Sequence, residues 1–335
     1  MKIILITGGS GFIGTNMIEL LEEKGFQSII NYDKNKPTKP NQEKYWVQGN
    51  IMDESHFGEI LAKYKVDTVI HFAARTDTLS DNLDDYIENH EGTQHILNAI
   101  KKYDKIERLI VASTQYVFKS DESSVPLDNK DFKPHTIYGQ SKVLTEQYLH
   151  SSELQCIWTI VRPTNIWGPW HMRYPLELWK IIDRGIYFHP VSHPVIRTYG
   201  YVKNIVHQVF QMLIADEKLI NKKTFYIGDF SMDSYSWINE FSLQLNGKKV
   251  KRLPTFVFSL VAKGGDVLRK LGIPFPLYTK RFQNMVEDYP APTEPTIEIF
   301  GQAEVSLEKN VEQTLNWLKT DGKNYFDYWK NKEVK

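Results

Sequence analysis

The sequence has only one cysteine, Cys156, so no disulfide can form within the chain, and a reducing compartment fits this usage. Apolar residues on both sides of Cys156 predict a buried thiol on a strand rather than a nucleophile. Neither sign of charge is in excess, because 41 Lys and Arg residues balance 41 Asp and Glu residues. This balance gives no broad electrostatic surface for nucleic acid or an anionic membrane.

Long apolar runs, internal repeats and low-complexity segments are also missing from the sequence. No run is long enough to span a bilayer and the first residues lack the pattern of a signal peptide, so we expect a soluble, cytoplasmic protein. The ten His residues are scattered, and no metal site is predicted. A length of 335 residues suits one large α/β domain, alone or with a smaller partner.

What the chain does have, at its start, is a strand, a glycine-rich turn and a helix. Residues 2–6 are apolar and β-branched, residues 7–14 read T-G-G-S-G-F-I-G, and residues 17–24 have the apolar spacing of a helix. Glycines let the backbone approach a pyrophosphate, and a helix N-terminus offers unpaired N–H groups. Although glycine-rich turns also make ordinary bends, this arrangement favours a dinucleotide site.

Asp33 supplies the carboxylate that a dinucleotide site uses to bind the adenosine ribose. Residues 27–33 are predicted to form the second strand, and Asp33 lies at its end, about 20 residues past the glycines, where it can accept both hydroxyls of an adenosine ribose. A 2′-phosphate would be repelled there, so Asp33 favours NAD over NADP, although Lys34 beside it weakens that preference. Asn50 is placed to reach the adenine edge, and the alternative is that Asp53 beyond it only caps a helix.

Further strands are predicted at 44–49, 66–74 and 106–113, and helical spacing covers 80–103. This alternation of strands and helices predicts a Rossmann-type, doubly wound parallel sheet. Ligands of such sheets bind beyond the carboxyl ends of the strands, the edge where Asp33 and Thr114 would lie. His71 within the fourth strand is interpreted as a histidine of the core, or one packed behind the site, rather than as a base.

The candidate chemistry comes from Tyr138 and Lys142, which are four residues apart and therefore share one face of a predicted helix. A phenol is a poor base at neutral pH, but a nearby ammonium and an oxidised nicotinamide favour the phenolate. Tyr138 would then take a proton from a sugar hydroxyl, and Thr114 would align the same oxygen. The pair alone also occurs on solvated helices, so the interpretation depends on the glycine turn and Asp33.

Together these segments resemble the extended short-chain dehydrogenase/reductase family, in the branch that acts on nucleotide sugars, over about residues 1–230. The matching motifs are T-G-x-x-G-x-x-G at 7–14, H-x-A-A at 71–74, N followed by G-T at 89–93, Thr at 114, Y-x-x-x-K at 138–142, R-x-x-N-x-Y-G-P at 162–169 and R-x-x-x-x-V-x-D at 197–204. The resemblance implies that Thr114, Tyr138 and Lys142 are catalytic. It also implies that Asn165 contacts the nucleotide sugar and that Arg197 binds a substrate phosphate, for which its planar fork is suited. A surface ion pair is the alternative for Arg197.

The residues expected at the cofactor are Gly8, Gly11, Phe12, Ile13, Gly14, Asp33, Asn50, Ile51, Phe72, Ala73, Ala74, Asn89, Tyr138, Lys142 and Pro163.

Some positions depart from the family pattern. The sugar-nucleotide 4,6-dehydratases place Asp-Glu after the catalytic Thr, and this chain has Gln115 and Tyr116, which argues against a 4,6-dehydratase. Asn50 and Asn204 stand where Asp is usual, and Trp167 replaces a Tyr. The two Asn residues lack the charge of Asp but keep its hydrogen-bonding capacity, so they affect details of ligand binding more than the expected class of enzyme.

We therefore expect an NAD-binding domain over 1–165, with a returning strand at 224–228, and a mainly substrate-binding lobe over 166–335. The expected activity is an NAD-dependent nucleotide-sugar epimerase, favoured as a 4-epimerase, in a homodimer without stable membrane insertion. A reductase of a keto nucleotide sugar using NADH or NADPH is the alternative, and a redox-sensing or structural NAD-binding protein is a third hypothesis.

Two C-terminal stretches complete the predictions. Residues 256–271 are apolar with few basic residues between them, which favours a lid or an oligomer contact over a helix lying on a membrane. Closing helices are expected at 311–318 and 325–329.

Overall fold

A seven-stranded parallel sheet forms the centre of the computed structural model, which describes residues 2–119, 130–174, 178–191, 193–273 and 275–323. The strands are β1 (Ile4–Thr7), β2 (Ile29–Asp33), β3 (Trp46–Gln48), β4 (Thr68–His71), β5 (Arg108–Ala112), β6 (Ile157–Pro163), β7 (Asn165–Trp167), β8 (Phe188–Val191), β9 (Ile196–Tyr201), β10 (Lys223–Ile227), β11 (Ser231–Asp233) and β12 (Lys251–Pro254). The large sheet has the order β10-β6-β5-β4-β1-β2-β3, and every neighbouring pair is parallel. The predicted Rossmann-type α/β fold is confirmed.

Helices cover both faces of this sheet and build a second, smaller layer beside it. They are α1 (Phe12–Glu23), α2 (Glu54–Tyr64), α3 (Ile87–Tyr103), α4 (Ile137–Ser151), α5 (Lys180–Asp183), α6 (Val202–Ile214), α7 (Glu217–Ile220), α8 (Ser234–Asn246), α9 (Thr255–Lys270), α10 (Thr279–Val286), α11 (Glu294–Phe300) and α12 (Leu307–Lys319). Because both faces are covered, β1, β4 and β5 are buried at every residue, which explains their apolar runs.

Two predicted elements begin later than their patterns indicated. The strand expected at 44–49 starts at Trp46, because 40–45 forms a 3₁₀ helix with Pro40 in its first turn. The helix expected at 80–103 starts at Ile87, after a 3₁₀ turn over 83–86 that Asn82 caps through the Asp84 N–H. The closing helix expected at 325–329 lies outside the described residues.

The returning part of the chain is longer than the single strand expected at 224–228. Helix α6 carries Ile205, Val209 and Phe210 into the same apolar core as the α1 residues Met17 and Leu21. The segment from α6 to β10, together with α11, thus packs on the large sheet. A separate core containing Trp167, Trp237 and Trp317 holds β7, α8 and α12 together.

Asp229, just after β10, connects the large sheet to β9 and α6 by hydrogen bonds. Its carboxylate accepts hydrogen bonds from the Tyr201 N–H at 2.7 Å and from the Asn204 amide at 2.7 Å. Asn204 in turn accepts from the backbone N–H groups of Ala303 and Glu304, both at 2.9 Å. An aspartate at position 204 would face the Asp229 carboxylate, so the asparagine avoids a buried pair of like charges and donates a hydrogen bond instead.

We expect Asp229→Asn to alter how stability depends on pH. Burial raises the pKa of Asp229 to about 6 from 3.8, so the native carboxyl holds its proton more tightly than the unfolded one. Its stabilising contribution is fully present below pH 3.8 and is lost as the pH rises through about 6. The wild-type free energy of unfolding, minus that of the variant, should therefore fall by roughly 3 kcal/mol between these pH values and stay constant above them. Urea unfolding across this range measures the difference, and a flat difference would contradict the assignment.

Candidate active site

The glycine turn between β1 and α1 has the shape that the sequence predicted. Gly8 has φ of +72°, and a Cβ added there would lie 2.6 Å from the Ala73 nitrogen. A Cβ on Gly14 would lie 2.3 Å from the Gly8 oxygen, so the turn packs directly on its own helix. Helix α1 begins after Gly11 without a side-chain cap, which leaves its first N–H groups open to a ligand.

A cavity of about 460 Å³ opens over this turn. It is lined by Gly8, Gly11, Phe12, Ile13, Gly14, Asp33, Asn50, Ile51, Phe72, Ala73 and Ala74, among other residues. Eleven of the residues expected at the cofactor therefore share one cavity, and its glycine turn and carboxylate fit a dinucleotide.

Asp33 presents its carboxylate to this cavity from the end of β2. It accepts hydrogen bonds from the Ser10 N–H at 3.1 Å and the Asn35 N–H at 2.9 Å. Burial raises the pKa of Asp33, and these N–H groups oppose that shift. The neighbouring Lys34 ammonium pairs with Glu88 at 2.7 Å, and Glu88 also lines the cavity. A ribose 2′-phosphate would thus meet two carboxylates, and Lys34 does little to offset them.

A second cavity of about 720 Å³ adjoins the first and shares the residues from Ser10 to Ile13 with it. Its lining includes Thr114, Tyr138, Lys142, Pro163 and Asn165, which sequence reasoning singled out. Among the described residues that line it, none is Asp or Glu. The three expected catalytic residues and the expected sugar contact therefore face one space beside the dinucleotide cavity.

Three elements hold Thr114, Tyr138 and Lys142 in place. Thr114 follows β5 and accepts a hydrogen bond from the Tyr116 N–H at 3.3 Å. Helix α4 begins after Thr136, whose hydroxyl caps the Gly139 N–H, so Tyr138 lies in the first turn and Lys142 one turn later. The Lys142 ammonium donates to the Ala112 carbonyl at 2.8 Å.

The expected phenolate at Tyr138 depends on the charges of Lys142 and an oxidised nicotinamide together, and the pKa shifts in the protein alone show how much burial opposes it. Burial raises the pKa of the Tyr138 phenol above its ordinary value, and a hydrogen bond with Thr114 opposes the shift only partly. Burial also lowers the pKa of Lys142 to about 8, and the Glu146 carboxylate opposes this. Desolvation therefore dominates both groups in the protein alone, and a phenolate needs additional positive charge within the cavity.

Glu146 and Arg162 form a buried ion pair next to Lys142 that was not predicted from the sequence. The Arg162 side chain donates to Glu146 through Nε at 2.9 Å and Nη2 at 2.7 Å, and neither side chain is exposed to solvent. Ser113 donates to the same carboxylate, and Arg162 Nη1 donates to the Tyr226 hydroxyl at 3.0 Å. Glu146 lies four residues after Lys142 on α4, and this helical spacing was the available signal.

The side chains of Asn89, an expected cofactor residue, and of His71 face protein groups. The Asn89 amide accepts from the Arg75 N–H at 2.7 Å and donates to the Arg75 carbonyl at 2.9 Å, and Asn89 lines neither cavity. His71 is buried between the Thr7 and Thr93 hydroxyls, as a core histidine would be, and burial lowers its pKa to about 3.

Arg197 likewise lies outside the lining of both cavities. Its guanidinium donates to the Asn284 carbonyl and, at 3.0 Å, to the Glu287 carbonyl, which are among the last carbonyls of α10. A cation at a helix C-terminus is favourable because those carbonyls have no partner within the helix. Among the described residues, the arginines that line the substrate-side cavity are Arg173 and Arg281.

Comparison with known proteins now identifies the chain's relatives. The sequence profile of the NAD-dependent epimerase/dehydratase family matches residues 4–228. The chain belongs to this family. Membership confirms the predicted resemblance to a family of NAD-dependent enzymes, and it confirms NAD as the cofactor.

Relatives of this family member include both reaction types. It is 32% identical over 184 residues to a human dTDP-D-glucose 4,6-dehydratase, covering 50% of this chain and 52% of that protein. It is 31% identical over 173 residues to a putative UDP-glucose 4-epimerase of Methanocaldococcus jannaschii, covering 49% and 56% respectively. The chain therefore matches about half the length of these curated relatives.

The fold likeness extends over nearly the whole chain. A UDP-glucose 4-epimerase of Thermotoga maritima, solved with UDP-glucose, superposes with a TM-score of 0.73 at 20% identity, covering 94% of this chain and 98% of that one. At this identity the likeness concerns the fold alone. None of the described helices is both long and apolar enough to cross a membrane.

Proposed function

We propose that this family member is an NAD-dependent nucleotide-sugar epimerase, acting as a 4-epimerase through a transient keto sugar. The observation that carries the proposal is the set of groups around the substrate-side cavity. Thr114, Tyr138 and Lys142 line it, and none of its described lining residues is a carboxylate. Elimination of water from a hexose needs an added acid and base, whereas epimerisation needs one group that moves a single proton.

The positions after Thr114 support the same choice. Gln115 is buried and does not line the cavity, whereas Tyr116 does. Neither side chain can exchange a proton as a carboxylate does, although dehydratases occur among the relatives.

In the proposed mechanism, the glycine turn and Asp33 would hold NAD, which would supply the hydride acceptor and donor that a transient keto sugar requires. Tyr138 takes the proton of the hydroxyl on the sugar carbon that becomes the ketone and gives it back after the sugar has turned. Thr114 hydrogen-bonds the same oxygen and holds it in line. Lys142 supplies positive charge next to a phenol that burial alone keeps protonated.

We further propose which groups bind the rest of the substrate. Asn165 contacts the sugar, and Arg173 and Arg281, which line the cavity, pair with the diphosphate. Arg197 is then a positioning residue, because it holds the end of α10, the helix that carries Arg281. Asn89 acts in the same indirect way by fixing the backbone at Arg75.

The domain division at residue 165 fits this scheme. Residues before it supply most of the lining of the dinucleotide cavity, and Arg173 and Arg281 come from the lobe beyond it. The homodimer and the cytoplasmic location expected from the sequence stay predictions.

The test is conversion of a nucleotide sugar without added cofactor. We expect purified protein to retain NAD and to interconvert two nucleotide hexoses that differ at C4. A panel of UDP-, GDP-, CDP- and dTDP-sugars serves as substrates, and chromatography separates each substrate from its product. Loss of NADH or NADPH absorbance in proportion to a 4-keto nucleotide sugar would replace the proposal by a reductase. Release of a 4-keto-6-deoxy product would replace it by a dehydratase.

A further inference from the structure

Helices α9 and α10 pack together as a hairpin, and the outer face of α9 is apolar and exposed. On α9 and just after it, Phe256 and Leu260 are each 72% exposed, Val267 is 58% exposed and Leu271 is 70% exposed. Their spacing of four, seven and four residues places them in one stripe along the helix. The opposite face is inward, where the Phe258 ring stacks on a ring of α10 at 6.1 Å.

The charge of this region differs from that of the rest of the chain. Residues 248–286, from the turn before β12 to the end of α10, hold nine Lys and Arg residues and a single acidic residue. Since the whole chain is balanced at 41 of each sign, acidic residues outnumber basic ones by eight elsewhere. On α9 itself, Lys263 and Lys270 lie along the apolar stripe and are exposed. The few basic residues noted within 256–271 were thus only part of a larger basic segment.

The acidic groups near this segment are engaged with protein partners. Asp266 accepts hydrogen bonds from the hydroxyl and the N–H of Thr279. Asp288, two residues past α10, accepts from the Ile196 N–H at 2.6 Å, and Glu287 lies 3.8 Å from the Lys119 ammonium. Glu287 and Asp288 face groups outside α9, and Asp266 is the one of the three whose charge acts on basic side chains of α9, at Arg269 and Lys270. A single carboxylate against nine basic residues leaves the segment positively charged.

We propose that the α9–α10 hairpin docks flat on the surface of an anionic phospholipid bilayer. Apolar side chains would enter the boundary between headgroups and acyl chains, while Lys263 and Lys270 contact lipid phosphates. A second copy of the chain is a poorer occupant, because a symmetric contact through this face would bring two strongly basic segments together. The docking is peripheral, which agrees with the lack of a spanning helix among the described residues.

Docking on this face would also place the substrate cavity near the lipid. Arg281, on α10 of the same hairpin, lines the substrate-side cavity. The surface that would meet the bilayer and part of the lining of the cavity therefore belong to one hairpin. The proposal does not depend on which sugar reaction the enzyme performs.

Co-sedimentation with vesicles tests the proposal. We expect the wild-type protein to bind vesicles of phosphatidylcholine with 30% phosphatidylglycerol about tenfold or more tightly than pure phosphatidylcholine vesicles, with the preference falling as salt is added. Lys263→Gln/Lys270→Gln should weaken anionic binding on the order of tenfold, and Leu260→Glu/Leu271→Glu should weaken it at least as much.

A matched control uses apolar side chains exposed outside the hairpin, in Ile299→Glu/Val305→Glu, where Ile299 is 50% exposed and Val305 is 78% exposed. This control should bind vesicles like the wild type, and all variants should keep the wild-type thermal midpoint because the positions are exposed. Wild-type protein that stays in the supernatant with anionic vesicles would overturn the proposal. So would a dimer in solution that Leu260→Glu/Leu271→Glu converts to monomer without any vesicle binding, since that result assigns the face to a second copy.

Discussion

Replacing Tyr138 by phenylalanine should lower kcat by a factor on the order of 10² or more while NAD still binds. The substitution removes only the phenol oxygen, which the proposed mechanism uses to carry the substrate proton. The ring is retained, so its contacts with the Tyr86 and Tyr116 rings, at 6.2 and 6.0 Å, should persist. Burial raises the pKa of this phenol, so Tyr138 needs additional positive charge in the cavity before it can act as a base at neutral pH.

The matched control for this experiment is Tyr116→Phe, which makes the same chemical change in the same cavity. We expect its kcat to stay within about threefold of wild type, because this hydroxyl carries no proton in the proposed reaction. The measurements are initial rates at saturating substrate and retained NAD after gel filtration. Wild-type turnover in Tyr138→Phe would refute the assignment. Equal losses in both variants would mean that the cavity needs both hydroxyls for binding and that Tyr138 has no special role.

The parts of the site that could be predicted are those that one short segment encodes. The glycine turn needs Gly8 because of its positive φ, and Asp33 follows from the length of one βα unit. Tyr138 and Lys142 face the same cavity because one helical turn separates them. In each case the physical requirement lies within a few residues of the chain, so the linear pattern carries it.

The parts that could not be predicted depend on contacts between distant segments. Arg197 has the position of a phosphate ligand in its motif, but the structure places its guanidinium on carbonyls 87 and 90 residues later. Arg281, which does line the cavity, belongs to a region outside the motifs used. A linear motif identifies a side chain suited to an anion, and only tertiary packing decides which partner it meets.

The desolvation of buried side chains, like the tertiary partner of an arginine, cannot be read from a linear motif. The charges of Lys142 and an oxidised nicotinamide together were expected to favour the Tyr138 phenolate, and in the protein alone burial has the largest effect on both pKa values. The burial of Tyr138 and Lys142 comes from the packing of α4 on the large sheet. The Glu146–Arg162 ion pair connects α4 to β6 within this contact. The stability of that pair is therefore the next quantity to measure.

Arg162→Met and Glu146→Gln should each lower the free energy of unfolding by about 3–5 kcal/mol. Both side chains are 0% exposed, so removing one partner leaves the other buried without its counter-charge or its two hydrogen bonds. The double variant Arg162→Met/Glu146→Gln should lose much less than the sum of the two single losses, because replacing both members leaves no buried charge unpaired. Urea unfolding, with the m-value checked for each variant, gives the three differences.

The exposed pair Lys101–Glu153 provides the matched control, with side chains 57% and 84% exposed and the charged atoms 3.5 Å apart. Lys101→Met should cost no more than about 1 kcal/mol, since solvent screens such a pair. Strictly additive losses at Arg162 and Glu146 would show that the two side chains stabilise the protein separately. A coupled loss, together with reduced kcat in the folded Glu146→Gln variant, would instead connect the pair to Lys142 one turn away. Because the Glu146 carboxylate opposes the fall in the Lys142 pKa, removing its charge should lower that pKa further and reduce the positive charge available to Tyr138 at neutral pH.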